Sequence, residues 1–293
     1  MAGVLDVASS ATSFDTQPHR SHEIQSRPNV APAAGLVSVV VPCFGQLEFS
    51  RLSVPRLLKF SRNPVELLFV DVGSLDGTDR YLEGVAAAAS VHIEVVRLLG
   101  DVSVGNACAA AAERARGEYV AFIANDALVS ENWLNHLVAL VKLAPNIGMV
   151  GCMSNFAPPP QWVGRLPYRL TPCTVRGSDG PPGTGNDVDE PDLVDLFARN
   201  WREQNRGQSF ETERLGGPCL LMKSEMLSKV IPVFKGSGQL GMIDGERISQ
   251  RVLSAGHRLA CARDVFIHHF GSRPFFVLPI APDGSNQVTD QHR

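Results

Sequence analysis

Apolar and polar positions alternate between two rhythms from residue 35 onward. Short, nearly unbroken apolar runs, LVSVVVPC (36–43), VELLFVDVGS (65–74), VHIEVVRL (91–98) and EYVAFIAND (118–126), predict strands. Each precedes a segment with helical periodicity: about 48–60, DGTDRYLEGVAAAA (76–89), VGNACAAAAERAR (104–116) and SENWLNHLVALVKLA (130–144). The runs lack the period-2 alternation of a half-exposed strand, so these strands are expected to be buried on both faces of a mostly parallel sheet. The expected class is α/β, a Rossmann-like central sheet with flanking helices. Open sheets of this kind bind ligands beyond the carboxyl ends of their strands. That rule directs attention to Pro42 to Gln46, Asp71 to Asp76, Leu98 to Asp101, and Asn125-Asp126.

The rhythm breaks after IGMVGCMS (147–154). Residues 155–190 are rich in proline and glycine, a stretch too long for an ordinary connector and expected to be a functional or mobile loop. Beyond it, DLVDLFARNWREQNRG (192–207) reads as an amphipathic helix and GPCLLMKSEML (217–227) as a strand running into a helix. ERISQRVLSAG (246–256) reads as a helix with a glycine stop, followed by a strand, HRLACARDVFIHH (257–269). The chain therefore divides into a half at 35–154 and a second half at 155–279, with tails at 1–34 and 280–293 expected to be disordered.

The 293 residues carry a net charge of −3, which supplies no basic field for nucleic acid, so none is expected as a partner. The six cysteines are scattered without a C-x-x-C pair and mostly lie in apolar runs. They read as buried free thiols in a reducing, cytoplasmic compartment. No apolar run approaches the ~18 residues of a membrane span.

Among the strand ends, DVGSLDGT (71–78) offers Asp71 and Ser74 to a polar ligand, Gly73 and Gly77 for tight turns, and Asp76 as a helix cap. Neither a phosphate loop (G-x-x-x-x-G-K) nor a dinucleotide fingerprint (G-x-G-x-x-G) occurs there. Asp126, taken alone, reads first as a turn residue bonding its own backbone and only second as a metal ligand. Cys43 and Trp133 read as core.

Six segments occur in order: VPCFGQ (41–46), DVGSLDGT, RGEYVAFIAND (116–126), SNFAPPPQ (154–161), WREQNRGQSFETERLGGPCLLMK (201–223) and AGHRLACARDVFIHHFGSR (255–273). Together they resemble the family 2 glycosyltransferases of the GT-A fold, over roughly residues 36–275. The resemblance implies a nucleotide-diphosphate sugar donor and a saccharide or lipid-linked acceptor, compatible with peripheral membrane contact. It implies a nucleotide site at Pro42, Phe44, Asp71, Gly73, Ser74 and Asp101, and Mg²⁺ or Mn²⁺ held by Asp126 and one histidine of the His268-His269 pair, with His268 taken as the ligand. It also implies a carboxylate base, Asp244 or Glu246, for inverting attack by the acceptor hydroxyl. A hard cation on the diphosphate stabilises the departing charge, and a base is needed because a hydroxyl is a poor nucleophile.

The chain departs from the family pattern at ligand-facing positions. Val72 replaces a hydrogen-bonding residue, Ala124 the first residue of the metal motif and Ala109 an asparagine, while Gly245 in MIDGERI (242–248) falls where the base is expected. Asp244 and Glu246 read as a helix cap and a first-turn acid as readily as a base. Hence the expectation of an active glycosyltransferase stands beside a second one: a catalytically degenerate protein of the same fold, acting as the nucleotide- or glycan-binding partner of an active enzyme. A nucleotidyltransferase would need a basic, glycine-rich loop after the first strand, which PCFGQLEFSR (42–51) does not supply.

Overall fold

The computed structural model describes residues 31–100, 102–170, 190–236 and 243–271. The expected alternation is present. β1 (Ala33–Cys43), β2 (Val65–Val72), β3 (His92–Leu98) and β4 (Gly117–Ile123) are parallel neighbours, separated by α1 (Leu47–Phe60), α2 (Thr78–Ala88) and α3 (Val104–Ala112). A two-residue strand β5 (Ala127–Leu128) and α4 (Trp133–Lys142) lead to β6 (Ile147–Ser154). The second half contributes α5 (Glu190–Gln204), β7 (Ser209–Thr212), β8 (Cys219–Lys223), α6 (Leu227–Gly236), α7 (Gly245–Ser254) and β9 (Arg258–His269). Among the described residues the strand order is β3-β2-β1-β4-β8-β6-β9-β5, with β7 pairing β9. β8 runs antiparallel between β4 and β6, and β6 and β9 are parallel.

Both faces of the sheet are covered, as the unbroken apolar runs require. Val39, Val41, Leu67, Phe69, Ala121 and Ile123 point into one apolar layer with α1 and α4, and Val40, Leu68, Val70, Val120 and Phe122 into the other with α3, α6 and α7. The opposite faces of adjacent positions follow from the two-residue strand period. α3 packs on α6, and α6 on α7. Its alanines make this possible: Ala107, Ala109 and Ala111 are fully buried.

Three features were not anticipated. β1 begins at Ala33, inside the expected tail, where its N–H donates to the Arg116 carbonyl at 2.8 Å. β5 and β7, of two and four residues, were missed because so short a run carries no readable period. α4 begins at Trp133 rather than Ser130, after Asn132 in the left-handed region (φ 64°). The five described cysteines are free and buried, and burial pushes the Cys152 thiol up to about 12. Cys173, residues 171–189 and the tail 280–293 lie outside the described residues.

At the amino ends of the strands a buried carboxylate joins three of them. Glu66 (1% exposed) accepts from Ser38 Oγ at 2.6 Å, Arg116 N at 2.7 Å and Arg116 Nε at 2.7 Å, and Ser38 Oγ accepts in turn from Gly117 N at 2.8 Å. Burial raises the proton affinity of Glu66, but these donors outweigh it and hold the carboxyl below its usual range. Glu66→Ala removes the shared acceptor and is expected to cost about 3 kcal/mol of unfolding free energy. Urea denaturation at neutral pH measures it; an unchanged midpoint would mean that the network contributes nothing net.

Candidate functional site

The carboxyl ends of β1 and β2 open into two loops clamped to each other. After β1 the chain turns through Gly45 (φ 69°) and Gln46 (φ 62°), and after β2 through Gly73 (φ 59°) and Gly77 (φ 91°). Gly45 N donates to Ser74 Oγ at 2.7 Å and Leu47 N to Asp76 Oδ2 at 2.8 Å. Asp76 Oδ1 also accepts from Thr78 N at 3.1 Å and Thr78 Oγ1 at 2.7 Å. Asp76 thus serves the first turns of both α1 and α2, and these bonds hold its carboxyl below the usual range against the opposing effect of burial.

Of the expected nucleotide-site residues, Pro42, Phe44, Asp71, Gly73 and Ser74 lie together at this strand end. Pro42 and Cys43 align with Val70 and Asp71, Phe44 rests half-buried on the apolar layer beside α3, and Gly73 has open space around its Cα. Asp71 is 3% exposed, and burial pushes its carboxyl up despite a hydrogen bond from Ser74; its Oδ1 is buried without a hydrogen-bond partner. Asp101 lies outside the described residues.

Asp126 follows β4 and is buried at 1% exposure. Its backbone carbonyl accepts from Phe270 N at 3.2 Å, and its Oδ1 meets His269 Nε2 at 3.0 Å. His269, 2% exposed, is held on every side: its N–H donates to Asn155 Oδ1 at 2.9 Å, its carbonyl accepts from Asn155 Nδ2 at 2.9 Å, and its ring packs edge-on against Phe156 at 5.3 Å. The histidine at Asp126 is therefore His269, in place of His268. Adjacent strand residues face opposite ways, and His268 turns to Tyr168, whose hydroxyl lies 3.2 Å from Nδ1. Burial there lowers its pKa to about 4, which keeps it neutral.

Asp126 and His269 are two donors side by side. Among the described residues no group of three or more His, Cys, Asp or Glu side chains could hold a metal. Two donors suit a cation that keeps waters and takes its remaining ligands from substrate phosphates, the habit of Mg²⁺. Neighbouring Asn125 is 2% exposed with an unpartnered Nδ2, while Ala124 packs on the core.

The carboxylates expected near the acceptor are at the start of α7. Asp244 caps that helix, its Oδ1 accepting from Arg247 N at 3.0 Å, and is 34% exposed. Glu246 is 58% exposed and pairs with Arg214 at 3.4 Å. Gly245 between them lies against the chain at Leu215: a Cβ there would fall 2.4 Å from the Leu215 carbonyl oxygen and 2.9 Å from Gly216 Cα. Ser249 fixes this contact, accepting from Leu215 N at 2.9 Å and donating to Gly245 O at 2.6 Å. A side chain has no room at residue 245.

Sequence reasoning did not single out Gln161, Phe156 or Trp162. Gln161 is fully buried, donating to Cys152 O at 2.8 Å and Gly216 O at 3.1 Å and accepting from Gly216 N at 2.8 Å. It pins the start of the proline-rich loop to the segment ahead of β8. Asn155, Phe156, Ala157, Pro158, Pro159 and Trp162 then line a cavity of about 480 Å³, with Phe156 45% and Trp162 57% exposed. Exposed aromatics in a proline-rich stretch were the available signal.

A central, mostly parallel sheet with helices on both faces is the fold of the GT-A glycosyltransferases. The family model "Glycosyl transferase family 2" matches residues 38–189, more than half of the chain, and the chain belongs to that family. The fold is similar to that of the mannosyltransferase PcManGT from Pyrobaculum calidifontis, solved with GDP-Man and Mn²⁺: TM-score 0.56, 18% identity, covering 86% of this chain and 63% of that one. It is similar also to GalNAc-T7, solved with UDP, GalNAc and Mn²⁺: TM-score 0.56, 14% identity, covering 84% and 45%. The uncharacterized protein y4gI of Sinorhizobium fredii is 25% identical over 197 residues, which are 67% of this chain and 20% of that protein. The chain thus spans less than two-thirds of each.

Gly245→Asp, which would put a carboxylate where the family pattern expects one, is expected to lower stability by about 2 kcal/mol or more through overpacking, and to leave any transfer rate no higher. Thermal unfolding and a rate assay on the variant check this; a stable and faster variant would show that the Leu215 segment yields easily.

Proposed function

We propose that the protein transfers a sugar from a nucleotide-diphosphate donor to a saccharide or lipid-linked acceptor, with inversion and with a divalent cation. The observation that carries this reading is the buried Asp126–His269 pair, 3.0 Å apart at the sheet's ligand-binding end in a chain of glycosyltransferase family 2. The half at 35–154 takes the donor, and the half at 155–279 takes the acceptor. Similar folds have been solved with GDP-Man and with UDP, each with Mn²⁺, so uridine, thymidine and guanosine diphosphates are the donors to examine first.

In this reading Pro42, Phe44, Asp71, Gly73, Ser74 and Asp101 surround the nucleoside. The raised proton affinity of Asp71 and its unpartnered Oδ1 suit a hydrogen-bonding ligand. Asp126 and His269 would hold Mg²⁺ or Mn²⁺, which supplies charge neutralisation on the leaving diphosphate. Of the two candidate bases Asp244 is favoured, because it is the less exposed and its ion pair is the longer: Arg247 Nε lies 3.9 Å from Asp244 Oδ2, while Arg214 lies 3.4 Å from Glu246. Oδ1 of Asp244 accepts the cap N–H at 3.0 Å, and a carboxylate has further lone pairs. It takes the acceptor hydroxyl proton as that oxygen attacks the anomeric carbon, and the bond from that carbon to the diphosphate breaks. The aromatic cavity at Phe156 and Trp162 adjoins His269 and offers an apolar face to the acceptor ring.

One observation favours a second reading, a binding partner without catalysis: residue 245 has no space for a carboxylate. Isothermal titration with UDP, dTDP and GDP, with and without Mn²⁺, together with a donor-turnover assay, separates the two. The transfer reading expects Mn²⁺-dependent binding that disappears in Asp126→Ala, and turnover that falls at least about a hundredfold in Asp244→Asn. Metal-dependent binding with no turnover of any nucleotide sugar would support the partner reading, and no nucleotide binding at all would sink the transfer reading and leave a glycan-binding partner. Trp162→Ala is expected to raise the acceptor KM about tenfold and leave the donor Kd unchanged; steady-state kinetics against each substrate would reveal a shift in donor affinity instead, placing Trp162 on the donor side.

A further inference from the structure

On the outer side of the sheet α1 and α5 lie together, and they share a feature that the donor and acceptor sites do not use. Their upper parts meet in a small apolar cluster of Phe49, Val194, Tyr168 and Phe270. Beyond it Arg56 is buried between the helices, donating from Nε to the Val129 carbonyl at 2.9 Å and forming an ion pair with Asp195. Further along, the helices part around a cavity of about 250 Å³ lined by Lys59, Arg62, Arg199 and Arg202, with Phe60, Ser130, Glu131 and Asp195.

The acids on this face do not balance the bases. Asp195 is committed to Arg56, and Glu131 stands 4.0 Å from Arg62. Asp192 and Glu203 are exposed on α5 and do not line the cavity, although Glu203 stands one turn beyond Arg199. The cavity wall carries four cations against two carboxylates, one of them neutralised from behind, in a chain whose net charge is −3. Apolar side chains flank the cations. Leu58 is 36% and Leu196 52% exposed. Residues three or four apart share a helix face, so Leu196 lies beside Arg199 on α5, while Leu58 is exposed on α1 next to Lys59 and Arg62 follows the end of that helix.

We infer that this face docks the protein on an anionic lipid surface. Lysine and arginine attract anionic headgroups within a Debye length, and exposed leucines on the same two helices enter the boundary between headgroups and acyl chains. The cavity between the helices accepts one headgroup phosphate. Among the described residues no helix is long and apolar enough to cross a membrane.

Vesicle cosedimentation of the full chain tests this without donor or acceptor, so its outcome does not depend on the transfer reading. Binding is expected to vesicles of phosphatidylcholine mixed with phosphatidylglycerol, to be weak with phosphatidylcholine alone, and to fall as salt rises. At roughly fivefold per cation, Arg62→Glu/Arg199→Glu is expected to lower partitioning at least tenfold. The single variants Arg62→Gln and Arg199→Gln, with milder losses, serve if the double variant melts early. Leu58→Ser/Leu196→Ser is expected to weaken binding at every salt concentration. Partitioning that ignores phosphatidylglycerol, or survives charge reversal, would overturn the inference. So would inorganic pyrophosphate binding that Arg62→Glu/Arg199→Glu abolishes in a protein that leaves vesicles in solution, since the cavity would then serve a soluble phosphate compound.

Discussion

The contact between Asp126 and His269 organises the ligand-binding end of the fold. Both side chains are 1% exposed and meet at 3.0 Å. A carboxylate this deep in the molecule is costly unless a hydrogen-bonding partner faces it, so the strand that carries His269 has to end where it does. The rest of the region supports that placement. Ala127 pairs with His269 and Leu128 with His268 in the short β5, Phe270 N donates to the Asp126 carbonyl, and both backbone groups of His269 are taken by the Asn155 amide. The ends of β4, β6 and β9 are thereby tied to one another through a single acid–base pair. A ligand that drew the pair apart would have to compensate both buried groups, which suits a cation arriving with its own oxygen donors better than it suits a neutral ligand.

Much of this was readable because the fold's main signal is a plain one. Unbroken apolar runs such as VELLFV (65–70) have one comfortable place, a strand covered on both faces, and Leu67, Leu68, Phe69 and Val70 are all fully buried. The position of Asp126 just past β4 followed from the same pattern. The histidine was harder. Strand alternation could have been counted along β9, but the pairing of β6 with β9 slips from Cys152↔Ala262 to Met153↔Phe266. The extra residues at 263–265 include Asp264, caught by His136 Nδ1 at 2.9 Å and Gly207 N at 3.0 Å. Such a bulge resets which residues face which side, and nothing local in ACARDVFIHH announces it. Gly73 and Gly77 were legible as turn residues and Asp76 as a helix cap, whereas the reach of Ser74 and Asp76 across to Gly45 and Leu47 is a tertiary fact.

The departures from the family pattern look different once their surroundings are known. Ala109 is fully buried in the helix that packs on α6, α6 packs on α7, and Gly245 at the start of α7 rests against Leu215 and Gly216. The two small residues sit at opposite ends of one packed series, and each permits a close approach. In sequence they read as lost hydrogen-bonding and catalytic groups; in the structure they are also packing residues. Val72 and Ala124 belong to the same description, since both lie against the apolar layers. A polar side chain restored at any one of these positions would meet neighbours already adapted to its absence.

The same packing links the aromatic cavity to the helix that carries Asp244. Gln161 holds Gly216 from both sides, through its N–H at 2.8 Å and its carbonyl at 3.1 Å. Leu215 is bonded through Ser249 to the first turn of α7, where Gly245 presses on its carbonyl. Hydrogen bonds therefore run from Gln161, next to Trp162, through Gly216, Leu215 and Ser249 to the first turn of α7. The Leu215 segment fills the space that a side chain at residue 245 would need, while Asp244 stays at the helix cap, bonded to Arg247 N at 3.0 Å and 3.9 Å from Arg247 Nε.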